Sequence, residues 1–247
     1  MNYTAKKDRL GTFATVYLGV ALLGAMLFET AYLLGYFGSE IGALSVGLYG
    51  FTLLIIAVAV GLLGWLYHTQ KHPVMLLLWL ACSSWFLGIF FYTSYAIILG
   101  QVLLYPSVGQ VAFQGFHLLL LPVLFFLLEH SEGSFWRPSV LLAAGIALVP
   151  VGGAVLLGTE LNVVVYNVLY LFVVMLALML ALHLLYTGVL PLFGGGFVLF
   201  FLTDIIFISI TLAVRDPSIF FLFPLWFSAY AIIAYGAVRY TRRGALP

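Results

Sequence analysis

Glu29, His117 and Asp204 are the ionisable residues that fall deep inside long apolar stretches of this sequence. Ionisable groups at bilayer depth are expensive, so each is a functional-site hypothesis by default. A carboxyl group there serves either as a hydrogen-bonding group in packing or as a proton donor in chemistry. An imidazole beside it can take or return that proton. Counted from the expected helix ends at 1.5 Å per residue, all three lie roughly 12–15 Å below the outer boundary. Three separate helices bringing their deep ionisable groups to one level predicts a shared polar site. The bland alternative is a structural buried pair of Asp204 with His117, while Glu29 finds a backbone donor. Ser94, Gln114, Asn167, Thr203 and Tyr230 have access to the same outer half. Gln114, Asn167, Thr203 and Tyr230 are the expected substrate-binding residues, with interhelical hydrogen bonding as their alternative role.

The elements that must position these groups are membrane-spanning helices. A span needs roughly 20 mostly apolar residues, and the chain offers eight such stretches: 13–37, 43–67, 73–99, 108–129, 138–158, 162–187, 190–214 and 218–241. The expected fold is therefore all-α: a polytopic integral membrane bundle of eight transmembrane helices, forming one domain over residues 1–247. The segments between spans are too short for an extramembrane domain. The first span follows a short basic tail without a small-residue cleavage site, and it reads as a retained anchor, not a signal peptide. Runs such as 51–66 do not alternate in polarity, which argues against a β-barrel. Pro73 and Pro191 fit helix starts, whereas Pro122, Pro150 and Pro224 fall inside spans and predict kinks.

Composition agrees. The 247 residues are 65% hydrophobic and 7% charged, against about 25% charged in a soluble domain. A net charge of +1 leaves no basic face for nucleic acid, and the single cysteine, Cys82, excludes a disulfide scaffold. With a cytoplasmic N-terminus, Lys6, Lys7, Arg9, Lys71, Arg137, Arg239, Arg242 and Arg243 fall inside and Arg215 alone falls outside. That bias sets the expected orientation, both termini cytoplasmic. The expected location is the inner membrane of a bacterium or archaeon. Every lysine lies outside the spans, which removes a retinal Schiff base. His68 and His72 have an i, i+4 spacing that suits a metal, but no third ligand lies near in sequence and a cytoplasmic loop is the simpler reading. His130 reads as a loop end and His183 as a snorkelling group near the inner boundary. No cofactor and no metal are expected.

A resemblance appears in the second half. Gly196, Phe200, Thr203 and Asp204 follow a G-x-x-x-F-x-x-T-D pattern, and Trp226, Ala229 and Tyr230 open the last span. In the fourth span, Gly109, Ala112, Phe113 and His117 give G-x-x-A-F-x-x-x-H. The stretch 166–177 adds to it. These motifs resemble the YhhN-like lysoplasmalogenase family, over about residues 109–240. The resemblance implies eight helices and hydrolysis of the vinyl-ether bond of a lysoplasmalogen. A proton would go to the enol-ether carbon and water would add to the oxocarbenium. Asp204 would be the acid or water-activating group and His117 its partner. The chain departs from the family in lacking the Asp of the third helix: no Asp or Glu occurs between Glu40 and Glu129. Tyr230 stands where the family has Gln. Glu29 is then the candidate replacement carboxylate.

Three readings follow. The first is an intramembrane lipid hydrolase with Asp204, His117 and Glu29 as catalytic residues. The second is a non-catalytic lipid or small-ligand sensor, or an accessory subunit, of the same architecture. The third is a small transporter, although no internal repeat is evident. Membrane lipids are the expected partners, with a homo-oligomer or a membrane protein partner left open.

Overall fold

The computed structural model describes residues 3–37, 42–99, 108–128, 142–143, 145, 161–188, 190–213 and 220–243. All secondary structure among them is helical: α1 (Tyr3–Leu33), α2 (Ala43–Gln70), α3 (Pro73–Leu99), α4 (Val108–Leu128), α5 (Leu161–Tyr186), α6 (Pro191–Ala213) and α7 (Leu222–Arg243). Each of these seven is long and apolar enough to cross a membrane. The chain is thus a multi-pass helical membrane protein. The expected span 138–158 lies outside the described residues apart from Leu142, Ala143 and Gly145, and Pro150 lies there too.

Local chemistry explains most helix ends. α1 stops at Leu33, short of the expected residue 37, because Gly35 adopts φ 74°. The Gly35 N–H donates to the Tyr32 carbonyl at 2.9 Å and the Tyr36 N–H to the Ala31 carbonyl at 3.0 Å, which closes the last turn as a Schellman motif. At its other end α1 starts earlier than expected, at Tyr3, since the basic tail continues the helix. Pro73 and Pro191 occupy first helical positions. Pro122 stays inside α4, which runs through it. Pro224 falls in the first turn of α7, where its missing N–H costs nothing, so it is a helix-start residue and not an interior kink. His72 uses Nδ1 to accept from the Val74 N–H at 3.3 Å, and so serves as a cap for α3.

Packing makes a ring. α2 packs on α3, α3 on α4, α4 on α5, α5 on α6, α6 on α7, and α7 closes back on α2. α1 stands outside this ring against α7. Burial follows the topology: 78% of the membrane window of α7 is covered, against 28% for α1. Since lipid tails are as apolar as leucine, such a ring is held by close packing and hydrogen bonds more than by hydrophobic transfer. The Ser84 hydroxyl donates to the Ala112 carbonyl at 2.7 Å, joining α3 to α4. The Leu192 N–H, an orphan donor of the first turn of α6, reaches the Tyr240 hydroxyl at 3.1 Å. Tyr17 ties α1 to α2 through the Ile55 carbonyl at 2.8 Å.

Glycines set the closest approaches. A Cβ on Gly194 would stand 2.8 Å from the Leu185 backbone, and one on Gly196 would stand 2.7 Å from the Ile233 side chain. Gly195, between them, has nothing within 4 Å. Gly194→Ala should therefore destabilise the folded protein by about 1–3 kcal/mol, an overpacking cost. Gly195→Ala should change stability by less than about 0.5 kcal/mol. Thermal melting in detergent checks the contrast, and equal melting of both variants would refute the close α5–α6 contact.

Candidate functional site

Asp204 is fully buried, and its partners come from three other helices. His117 on α4 places Nε2 2.6 Å from Oδ2. Trp226 on α7 donates its indole N–H to Oδ1 at 2.7 Å. The Tyr170 hydroxyl on α5 donates to Oδ2 across a longer 3.4 Å. With Asp204 itself on α6, four consecutive helices of the ring meet at one carboxyl group.

The proton inventory of the pair follows from hydrogen-bond chemistry. His117 Nδ1 lies 2.8 Å from the Phe113 carbonyl oxygen. A carbonyl oxygen can only accept, so Nδ1 carries a hydrogen and donates it. The short Nε2–Oδ2 contact then needs one proton between the two atoms. It exists either as imidazolium with carboxylate or as imidazole with carboxylic acid. In both forms His117 and Asp204 together carry no net charge, which is how a titratable pair is tolerated in the interior.

Aromatic rings enclose this couple. Around the His117 imidazole stand Tyr170 at 5.1 Å, Phe116 at 5.2 Å, Trp85 and Phe201 at 5.9 Å and Phe200 at 6.0 Å between centroids. His117 is 1% exposed and Asp204 0%. A sheath of this kind excludes water and strengthens each hydrogen bond within it. It includes two polar atoms without a partner, Trp85 Nε1 and the Tyr230 hydroxyl. Each such buried group costs about 1–3 kcal/mol relative to a satisfied one.

The residues expected from sequence divide as follows. His117 and Asp204 are brought together. Glu29 is not: it is half-buried on α1, the helix outside the ring, and is absent from the hydrogen-bond partners of Asp204. No group of three His, Cys, Asp or Glu side chains converges among the described residues. Equal depth fixed the height of Glu29 but not its bearing around the bundle, so the shared three-residue centre is replaced by a two-residue one. The Thr203 hydroxyl is satisfied by its own helix, donating to the Leu199 carbonyl at 2.8 Å. Gln114 is half-buried one turn before His117, outside the partner set of Asp204. Tyr230 is buried within the aromatic sheath. The Asn167 side chain lies outside the described residues, as does His130. His68 is exposed and His72 caps a helix, which leaves that spacing no metal role on the described geometry.

Trp226, Tyr170 and Trp85 are the site residues that sequence reasoning passed over. Counted from the same expected span ends, Tyr170 and Trp226 each lie roughly 12 Å below the outer boundary, the level of His117 and Asp204. The depth ruler extended from ionisable groups to Trp and Tyr donors would have found both. Searches with the whole chain matched no protein-family model, no curated protein and no solved structure.

Removing one member of a buried pair strands the other, at about 3–5 kcal/mol. Asp204→Ala should therefore destabilise most. Trp226→Phe, which deletes a single short donor, should cost about 1–3 kcal/mol. Tyr170→Phe, which deletes the long contact, should cost least. Melting of the purified variants in one detergent reads this order, and a Tyr170→Phe loss exceeding that of Trp226→Phe would contradict it.

Proposed function

We propose that the protein is an intramembrane lipid hydrolase that cleaves the vinyl-ether bond of a lysophospholipid, with the His117–Asp204 couple as its acid–base centre. The observation that carries this reading is the 2.6 Å contact between Nε2 and Oδ2 inside an aromatic sheath, which requires one proton shared between the two atoms. The couple would deliver that proton to the enol-ether carbon, leaving an oxocarbenium at the ether-bearing carbon. Water adds there and returns its proton to the couple. The hemiacetal then collapses to a fatty aldehyde and the glycerophospho-alcohol, so the proton count closes with no second carboxylate. The resemblance to the lysoplasmalogenase family supports the same chemistry, and the position of Glu29 on α1 removes it from the proposed catalytic set.

The proposal includes the remaining architecture. Residues 138–158 supply an eighth span, both termini face the cytoplasm, and the couple lies in the outer half of a bacterial or archaeal inner membrane. Membrane lipids are the partners, and no cofactor is needed for the proton transfers described.

One observation favours a second reading. The rings that close on His117 leave both members of the couple essentially inaccessible, as suits a non-catalytic lipid sensor with a structural pair. The two readings separate on turnover. Purified protein given a 1-alkenyl lysophospholipid should release aldehyde, and Asp204→Asn or His117→Gln should lower kcat by about 10²–10⁴-fold with KM little changed. Wild-type protein without turnover, or Asp204→Asn protein with undiminished turnover, would reject the hydrolase. Thermal stabilisation by the lipid in wild-type protein that turns nothing over would favour the sensor.

A further inference from the structure

Two hydrogen-bond donors next to the couple have no acceptor among the described residues. Trp85 Nε1 on α3 and the Tyr230 hydroxyl on α7 are buried, at 2% and 0% exposure, and neither atom meets a partner among the described residues. An indole N–H can only donate, and the bilayer interior has no bulk water to accept from it. Buried Trp and Tyr ordinarily place these polar tips on a partner, as Trp226 and Tyr170 do here on Asp204.

The two rings lie 6.4 Å apart and belong to one cluster. Trp85 packs 5.9 Å from His117 and 5.8 Å from Trp226. Tyr230 packs 5.9 Å from Phe116 and 5.5 Å from Phe200, both of which flank His117. The described cations Arg9, Lys71, Arg239 and Arg242 sit toward helix ends, away from this cluster. A pair of uncharged donors with no cation suits a neutral oxygen and not a phosphate or carboxylate.

We infer that Trp85 and Tyr230 form a two-donor subsite for a neutral acceptor oxygen beside the His117–Asp204 couple. That oxygen has two sources with the same chemistry: the ether oxygen of a bound lysolipid or a water molecule held for the addition step. The assignment to a lipid oxygen rests on the proposed hydrolase reading; the donor pair does not. In this arrangement Trp85 and Tyr230 are binding groups, and His117 and Asp204 the proton carriers.

The test uses full-length protein in detergent and a saturated 1-alkyl lysophosphatidylcholine, which binds as an ether but has no vinyl-ether bond to cleave. Binding is read by thermal stabilisation, and the hydrogen-bond state of the Trp85 indole by its Raman band in wild type minus Trp85→Phe. For a lipid oxygen, the wild type binds, Trp85→Phe and Tyr230→Phe each weaken binding about tenfold, and the double variant loses less than the product because both donors share one atom. Ligand should also move the indole band. For water, no variant changes lipid affinity, but the indole of the lipid-free protein is already hydrogen-bonded; the subsite stands and the lipid assignment falls. An indole that is free with and without lipid, together with Tyr230→Phe binding as wild type, overturns the proposal. Tyr230→Phe keeps the ring volume, so the lipid arm survives even if Trp85→Phe fails to fold. A hydrolase without turnover would leave these binding results unaffected, so the two failures are distinguishable.

Discussion

One carboxyl group in a hydrocarbon environment organises this molecule. Asp204 cannot stand in a bilayer without partners, and its own helix cannot supply them because the α6 amides around it are committed to the helix ladder. The donors come from α4, α5 and α7, and their arrival at one point fixes how those helices stack around α6. Packing supplies the rest of the ring's cohesion. Gly194 and Gly196 let α6 approach its two neighbours closely, and the aromatic sheath fills the volume around the couple. Where hydrophobic transfer gives little preference between helix contacts and lipid contacts, a few satisfied polar groups decide which neighbours are chosen.

The same constraint shapes the chemistry. His117 gives its Nδ1 hydrogen to the Phe113 carbonyl, so its tautomer is set by its own helix before Asp204 is considered. The remaining ring nitrogen can then only share a proton with the carboxyl group. A neutral couple of this kind is inexpensive to bury, and release of its proton would leave a net charge of −1 until a proton returns. Under the proposed function, structural stability and acid–base chemistry would have one source. Among the described residues of the cluster, the tips of Trp85 and Tyr230 are without a partner, and unsatisfied buried groups in native proteins call for an explanation.

Much of the fold was legible from hydropathy alone, because a 20-residue apolar stretch has few alternatives to a helix in lipid. Pro73 and Pro191 marked helix starts correctly, and Gly35 moved the end of α1 through a backbone geometry that hydropathy does not see. The meeting of His117 with Asp204 was legible in part: residue depth is a linear function of sequence position, so two helices can be matched in height. Bearing around the helix axis is not, since an all-apolar span has no polar face to orient it, and Glu29, counted to the same level, sits on the helix outside the ring. Trp226 and Tyr170 were hidden for a different reason. In a chain with 17% aromatic residues, a buried Trp or Tyr is unremarkable until its donor is set opposite the one acid that needs it. Thr203 illustrates the converse: adjacent to Asp204 in sequence, it turns its hydroxyl to the helix backbone instead.

Nitrogen NMR of the His117 ring in ¹⁵N-histidine-labelled protein tests the shared-proton couple most directly, with assignment by comparison to His117→Gln in lipid nanodiscs. The couple requires a protonated Nδ1 in slow exchange with water, and an Nε2 signal intermediate between protonated and free that moves in Asp204→Asn. A bare Nδ1, or an Nε2 signal indifferent to Asp204→Asn, would show that no proton is shared and would contradict the centre on which the proposed chemistry stands.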